Sequence, residues 1–124
     1  MKFNTSTIIA GVDKTITATV TETDEIQNLT GHSVFFNLAY ICEDEAIISK
    51  VMTITNDKNC TIELSYIETN ILDNGEYDAN LIIIDQSEKR YATERYRFTV
   101  NKAIPSDSII EIIERETLID GGTF

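Results

Sequence analysis

Tryptophan is absent from this chain, proline and histidine each occur once, and only two cysteines and five glycines are spread over 124 residues. Each scarcity closes a route. One Pro and five Gly leave no low-complexity linker, and a hydrophobic share of 42% gives no sign of disorder. Cys42, Cys60 and His32 are too few and too scattered for a metal set, so no metal or cofactor is expected. Basic residues are also scarce: ten Lys and Arg face twenty-one Asp and Glu, for a net charge of −11. A chain so acidic repels phosphate backbones and anionic lipid unless a basic patch forms. The densest basic stretch, Lys89, Arg90, Arg95 and Arg97, is diluted by Glu88 and Glu94. Neither nucleic acid nor a membrane is an expected partner. No apolar run approaches the ~20 residues of a spanning helix, and the start, Met1-Lys2-Phe3-Asn4, lacks the apolar core of a signal peptide. Without an export signal, two free thiols are favoured over a disulfide.

What the chain does have is alternation. In residues 14–22, Ile16, Ala18 and Val20 face one way and Thr15, Thr17, Thr19 and Thr21 the other, the period of a half-buried strand. A weaker strand covers 6–10. After the turn Asn28-Leu29-Thr30-Gly31, residues 33–42 place Val34, Phe36, Leu38 and Tyr40 on one face. Phe35, Ala39 and Ile41 make the other face partly apolar too, so something beyond the strand's own sheet is expected to cover it. Further strands are expected over 46–55, over 60–66 with Ile62, Leu64 and Tyr66 inward, over 76–85 and over 91–101. An irregular or helical turn is expected over 67–72. Seven short strands separated by turns every ten residues or so predict an all-β, immunoglobulin-like Greek-key sandwich over 1–103.

Past Pro105 the pattern changes. Ile109, Ile112 and Ile113 share one helical face with Ile110 beside them, and Leu118, Ile119 and Phe124 follow. These seven residues are the candidate interface of a C-terminal arm, 104–124. A lone helix of this length is marginal in water and has to pack on something. It could dock on its own sandwich or pair between protomers; the exposed patch it would otherwise leave favours a homo-oligomer.

Catalytic constellations are missing. His32 and Ser33 are neighbours in a strand and point to opposite faces, so they cannot act as base and nucleophile. The acidic groups at 24–25, 43–45 and 73–78 match no calcium loop and read better as solvated turns. No glycine-rich phosphate loop is present. Gly31 and Gly75 are structural turn residues, and Tyr77, just after Gly75, suits either a tyrosine corner or an ordinary inward position. The chain is therefore not expected to be an enzyme.

The residues Ile16-Thr17-Ala18-Thr19-Val20, Asn28-Leu29-Thr30-Gly31, Val34-Phe35-Phe36-Asn37-Leu38, Asn74-Gly75-Glu76-Tyr77 and Arg97-Phe98-Thr99-Val100 together give a pattern over about 14–101. It resembles the N-terminal immunoglobulin-like domain of baseplate upper proteins of tailed phages that infect Gram-positive bacteria. The resemblance implies a non-enzymatic virion structural protein, folded in the host cytoplasm, that assembles with other virion proteins. Residues 43–45 and 85–88 lack the Asp-Gly common in such hairpins. The sequence also closes soon after the sandwich, so a scaffold, connector or decoration protein without a receptor-binding domain is expected, or a fragment of a longer protein. A carbohydrate-binding or adhesive module, stacking sugars on Tyr40, Tyr66, Tyr91 or Tyr96, is the alternative; the lack of Trp and the inward phase of three of these Tyr weigh against it.

Overall fold

The threonine-faced segment forms β3 (Lys14–Thr19) in the computed structural model, which describes residues 1–102. Its inward residues Ile16 and Ala18 are fully buried. β3 lies between β1 (Lys2–Phe3) and β7 (Asn59–Leu64), and β6 (Thr53–Ile54) completes a four-stranded sheet in the order β1-β3-β7-β6. The facing sheet has the order β2-β10-β8-β4-β5. Its strands are β2 (Thr7–Ala10), β4 (Ser33–Tyr40), β5 (Ile48–Val51), β8 (Gly75–Ile84) and β10 (Tyr96–Lys102). A sixth strand, β9 (Arg90–Ala92), pairs with β8. The chain crosses repeatedly between the two sheets, and the immunoglobulin-like all-β sandwich expected from the sequence is the observed fold.

The strand count is where structure and expectation differ. The segment 46–55 is not one strand. β5 pairs with β4, β6 pairs with β7, and the chain changes sheets at buried Met52, whose N–H donates to the Val34 carbonyl at 2.8 Å. The N-terminal run divides the same way: β1 belongs to one sheet, and β2 runs parallel to β10 in the other. The expected strand 91–101 is interrupted by a bulge. Between the pairs Ala92↔Ile82 and Tyr96↔Ala79 three residues face two, and Leu81 donates its N–H to Thr93 Oγ1 at 2.9 Å.

Tyr66 does not continue β7 inward. Ser65 caps a short helix, α1 (Tyr66–Asn70), and Tyr66 is turned out to solvent. Ser65 Oγ accepts from the Glu68 N–H at 3.2 Å while Glu68 Oε1 accepts from the Ser65 N–H at 2.9 Å, a capping box that overrides the strand period. The signal, Ser-x-x-Glu, is present in the sequence.

Between the sheets an aromatic cluster joins the layers. Phe3 of β1 meets Phe36, Tyr96 and Phe98 of the opposite sheet edge to face, with ring centroids 5.1–5.9 Å apart. Lys50 is paired with Phe36 and so shares the core side of edge strand β5. Its Nζ reaches across the open side of the sandwich to the Glu63 carbonyl (2.8 Å) and Glu68 Oε1 (2.9 Å). An inward-pointing charge on an edge strand discourages the edge from recruiting another chain.

The capping N–H of Ser65 and the Lys50 ammonium hold the Glu68 carboxyl below its ordinary pKa. A lowered folded pKa gives stability that is complete above the ordinary value of 4.5 and is lost as pH falls through the folded value. Glu68→Gln is therefore expected to cost stability at pH 7, under about 1 kcal/mol because the ion pair is partly exposed. That difference should shrink below pH 4.5. Urea midpoints of the two proteins between pH 7 and 3 check it.

Candidate interaction surface

Of the residues singled out from the sequence, Ile109, Ile110, Ile112, Ile113, Leu118, Ile119 and Phe124 lie outside the described residues. The structural three are described. Gly31 has φ +82°, and a Cβ there would lie 2.5 Å from Gln86 Nε2. It lies within the turn in which Asn28 Oδ1 accepts the Thr30 N–H and the Leu29 carbonyl accepts that of His32. Gly75 opens β8 at φ +149°. Tyr77 is 1% exposed, and its hydroxyl donates to the Asp73 carbonyl at 2.8 Å, back across the corner between α1 and β8, the geometry of a tyrosine corner. Burial pushes its phenol above the ordinary range. Tyr40, in the inward phase of β4, lies at the strand's end where the core stops. It is 45% exposed and stacks on Tyr77 at 5.2 Å.

The two outer faces of the sandwich are chemically unlike. On the four-stranded sheet, Thr17, Thr61 and Thr53 stand side by side across β3, β7 and β6. Thr17 and Thr61 share a hydroxyl hydrogen bond at 3.3 Å, and Thr19 donates to Asn59 Oδ1 at 2.6 Å. That face is a hydroxyl and amide ladder suited to water.

The six-stranded sheet presents three different rows. The register aligns Val51, Phe35, Ile82 and Ala92 across β5, β4, β8 and β9, with Ile84 beside them. Phe35, Ile82 and Ile84 are half-buried and Val51 and Ala92 exposed, so the row is an apolar band at the surface. Next along the strands comes an amide row, in which Ser49 Oγ donates to Asn37 Oδ1 (2.7 Å) and Asn37 Nδ2 to Asn80 Oδ1 (3.4 Å). The third row is charged. Asp78 accepts from Arg97 Nε at 3.3 Å and lies 3.5 Å from Arg95 Nη1, whose Nη2 also reaches Asp44 at 3.0 Å. A recess of about 280 Å³ opens between the amide and charged rows, lined by Asn37, Asp44, Asp78, Asn80, Ile82 and Arg95. The Arg pair that looked like a basic stretch is thus tied up by carboxylates. Sequence reasoning saw that β4 is apolar on both faces; the lateral row needs the strand register, which no local pattern carries.

A larger recess of about 450 Å³ lies where Met1, Asp24, Ile26, Tyr91, Glu94 and Tyr96 meet. Its polar groups are engaged. Burial alone would raise the Asp24 pKa, but the N-terminal ammonium 2.7 Å away and the Thr21 hydrogen bonds outweigh it and hold the carboxyl low. The Tyr96 hydroxyl donates to the Met1 carbonyl at 2.9 Å, with Glu94 Oε1 3.3 Å away. His32 is half-buried, and its Nδ1 has no hydrogen-bond partner among the described residues. Among those residues no three His, Cys, Asp or Glu converge as a metal set. Cys42 is exposed and Cys60 buried, both as free thiols, and burial pushes the Cys60 thiol up to about 11, which keeps it inert.

No curated protein matches the chain. Among solved structures, the crystal structure of CopC from Methylosinus trichosporium OB3b is similar with a TM-score of 0.47 and 9% identity, over 85% of this chain and 94% of that one. The family model of the BppU N-terminal domain matches residues 12–120, which takes in β3 to β10 and most of the segment beyond. With that match over most of its length, the chain belongs to the BppU N-terminal domain family, a family of phage baseplate upper proteins.

Proposed function

We propose that this chain is a non-enzymatic structural domain of the phage virion, which joins other baseplate or tail proteins through the outer face of its six-stranded sheet. The observation that carries this reading is the contrast between the two outer faces: hydroxyls and amides on one, the band Val51, Phe35, Ile82 and Ala92 on the other. An apolar band rimmed by amides and paired charges has the composition of a protein interface, in which a dry centre supplies affinity and a polar rim sets register. A net charge of −11 favours a partner whose own rim is basic. Family membership supports the virion setting, and with it synthesis and folding in the bacterial host. Self-association through Ile109, Ile110, Ile112, Ile113, Leu118, Ile119 and Phe124 is the second element of the proposal, supported by their apolar pattern.

Purified phage carrying the chain should show it in the particle by mass spectrometry and by antibody labelling at the tail end. A Phe35→Asp/Ile82→Asp variant puts two charges at the centre of the band and leaves the core untouched. It is expected to weaken incorporation ~30-fold or more, the loss that follows from a hot spot of about 2 kcal/mol. Absence of the wild-type chain from particles, or normal incorporation of a well-folded double variant, refutes the proposal.

A further inference from the structure

The end of the sandwich that carries α1 holds a second apolar surface. Tyr66 (57% exposed), Ile67 (63%) and Ile71 (59%) project from α1 and its C-cap, with Val12 (43%) in the adjoining turn and Ile9 (44%) on edge strand β2. Ile67 and Ile71 are four residues apart and share one side of the helical turn. The platform beneath them is firmly pinned. Thr69 Oγ1 donates to the Val12 carbonyl at 2.9 Å and accepts the Gly11 N–H at 3.0 Å, and Asp13 Oδ1 accepts the Tyr66 N–H at 2.6 Å. A turn tied this tightly keeps its apolar side chains facing outward.

The chain leaves the sandwich at this same end. β10 runs parallel to β2 and finishes with Lys102 opposite Ala10, one residue before the Gly11-Val12 turn that braces α1. Beyond it come 22 residues, 103–124, that include Ile104, Ile109, Ile110, Ile112 and Ile113. The family match continues through this stretch to residue 120 and does not stop where the sheet does.

We propose that the platform of Val12, Tyr66, Ile67 and Ile71 is the seat of the chain's own segment 104–113, which folds over α1. A tether of a few residues places the segment at millimolar effective concentration beside the seat, well ahead of a free partner. At helical spacing, Ile109, Ile110, Ile112 and Ile113 span about half the circumference, wider than the ~100° stripe that one contact needs. One flank can therefore rest on the seat while the other stays available to a second copy. The inference does not depend on the virion role or on self-association.

The test uses the full chain in a Cys42→Ser background. Cys60 is buried and stays out of the chemistry. Ile67→Cys is combined with Ile109→Cys, and separately Ile71→Cys with Ile113→Cys, followed by mild oxidation with oxidised glutathione. At least one pair is expected to close an intrachain disulfide, seen as a faster monomer band without reductant. In parallel, Ile67→Ser and Ile109→Ser are melted singly and together over a hundredfold range of concentration. The seat residues changed, Ile67 and Ile71, lie at exposed positions, so the sandwich stays folded. The combined shift is expected to fall short of the sum of the single shifts by about 4 °C or more, independent of concentration. Additive shifts without any crosslink overturn the seat. Covalent dimers, or coupling that disappears on dilution, overturn own-chain docking and place the contact between copies. Each of these results leaves the virion proposal to its own particle assay.

Discussion

Phe98→Ala is expected to lower the unfolding free energy by about 3–5 kcal/mol, the cost of a large aromatic removed from a close-packed core. Phe98 is fully buried in β10 and is the nearest of the three rings around Phe3, with centroids 5.1 Å apart. Its loss also breaks the edge-to-face contact with Phe36 at 6.1 Å. Phe3 comes from the opposite sheet, so the cavity would open on the seam between layers, where neither sheet can collapse to fill it. In a domain whose total stability is about 5–15 kcal/mol, this approaches global unfolding. Calorimetry should show the melting temperature falling by ~15 °C or more. A fall of only a few degrees would mean that Phe3 does not clasp the two layers.

Tyr77→Phe should cost about 1–2 kcal/mol, far more than the loss of one oxygen from a surface residue. The ring and its stack on Tyr40 remain, so the change isolates the hydroxyl that donates to the Asp73 carbonyl. That bond ties the start of β8 to the end of the α1 connection, and without it the Asp73 carbonyl loses its partner from the buried ring. Urea unfolding should show a lower midpoint with an unchanged slope. A midpoint equal to wild type would reduce Tyr77 to a core filler.

Much of the fold was legible because half-buried strands declare themselves. β3, β4 and β8 each bury one set of side chains and wet the other, so their period survives in the residue order. The misreadings share a cause: decisions taken between strands leave little local trace. Alternation continues through Met52 although the backbone there transfers from one sheet to the other. β1, at two residues, is too short to show a period, yet it supplies Phe3 to the core. Tyr66 kept the phase of β7, but its N–H serves Asp13 and its position belongs to a capped helix, a signal that Ser65 and Glu68 did carry. The interaction surface was half visible. Phe35 stood out as apolar on the wrong face, while its alignment with Val51, Ile82 and Ala92 depends on which strands lie side by side.

The parallel pairing of β2 with β10 has a mechanical consequence. The chain enters β2 at one end of this pair and leaves β10 at the other, through Thr99↔Thr7 to Lys102↔Ala10. Tension applied along the polypeptide would slide the two strands past each other, loading their hydrogen bonds together and not one at a time. A module wired in this way resists pulling along its length better than peeling from its edge.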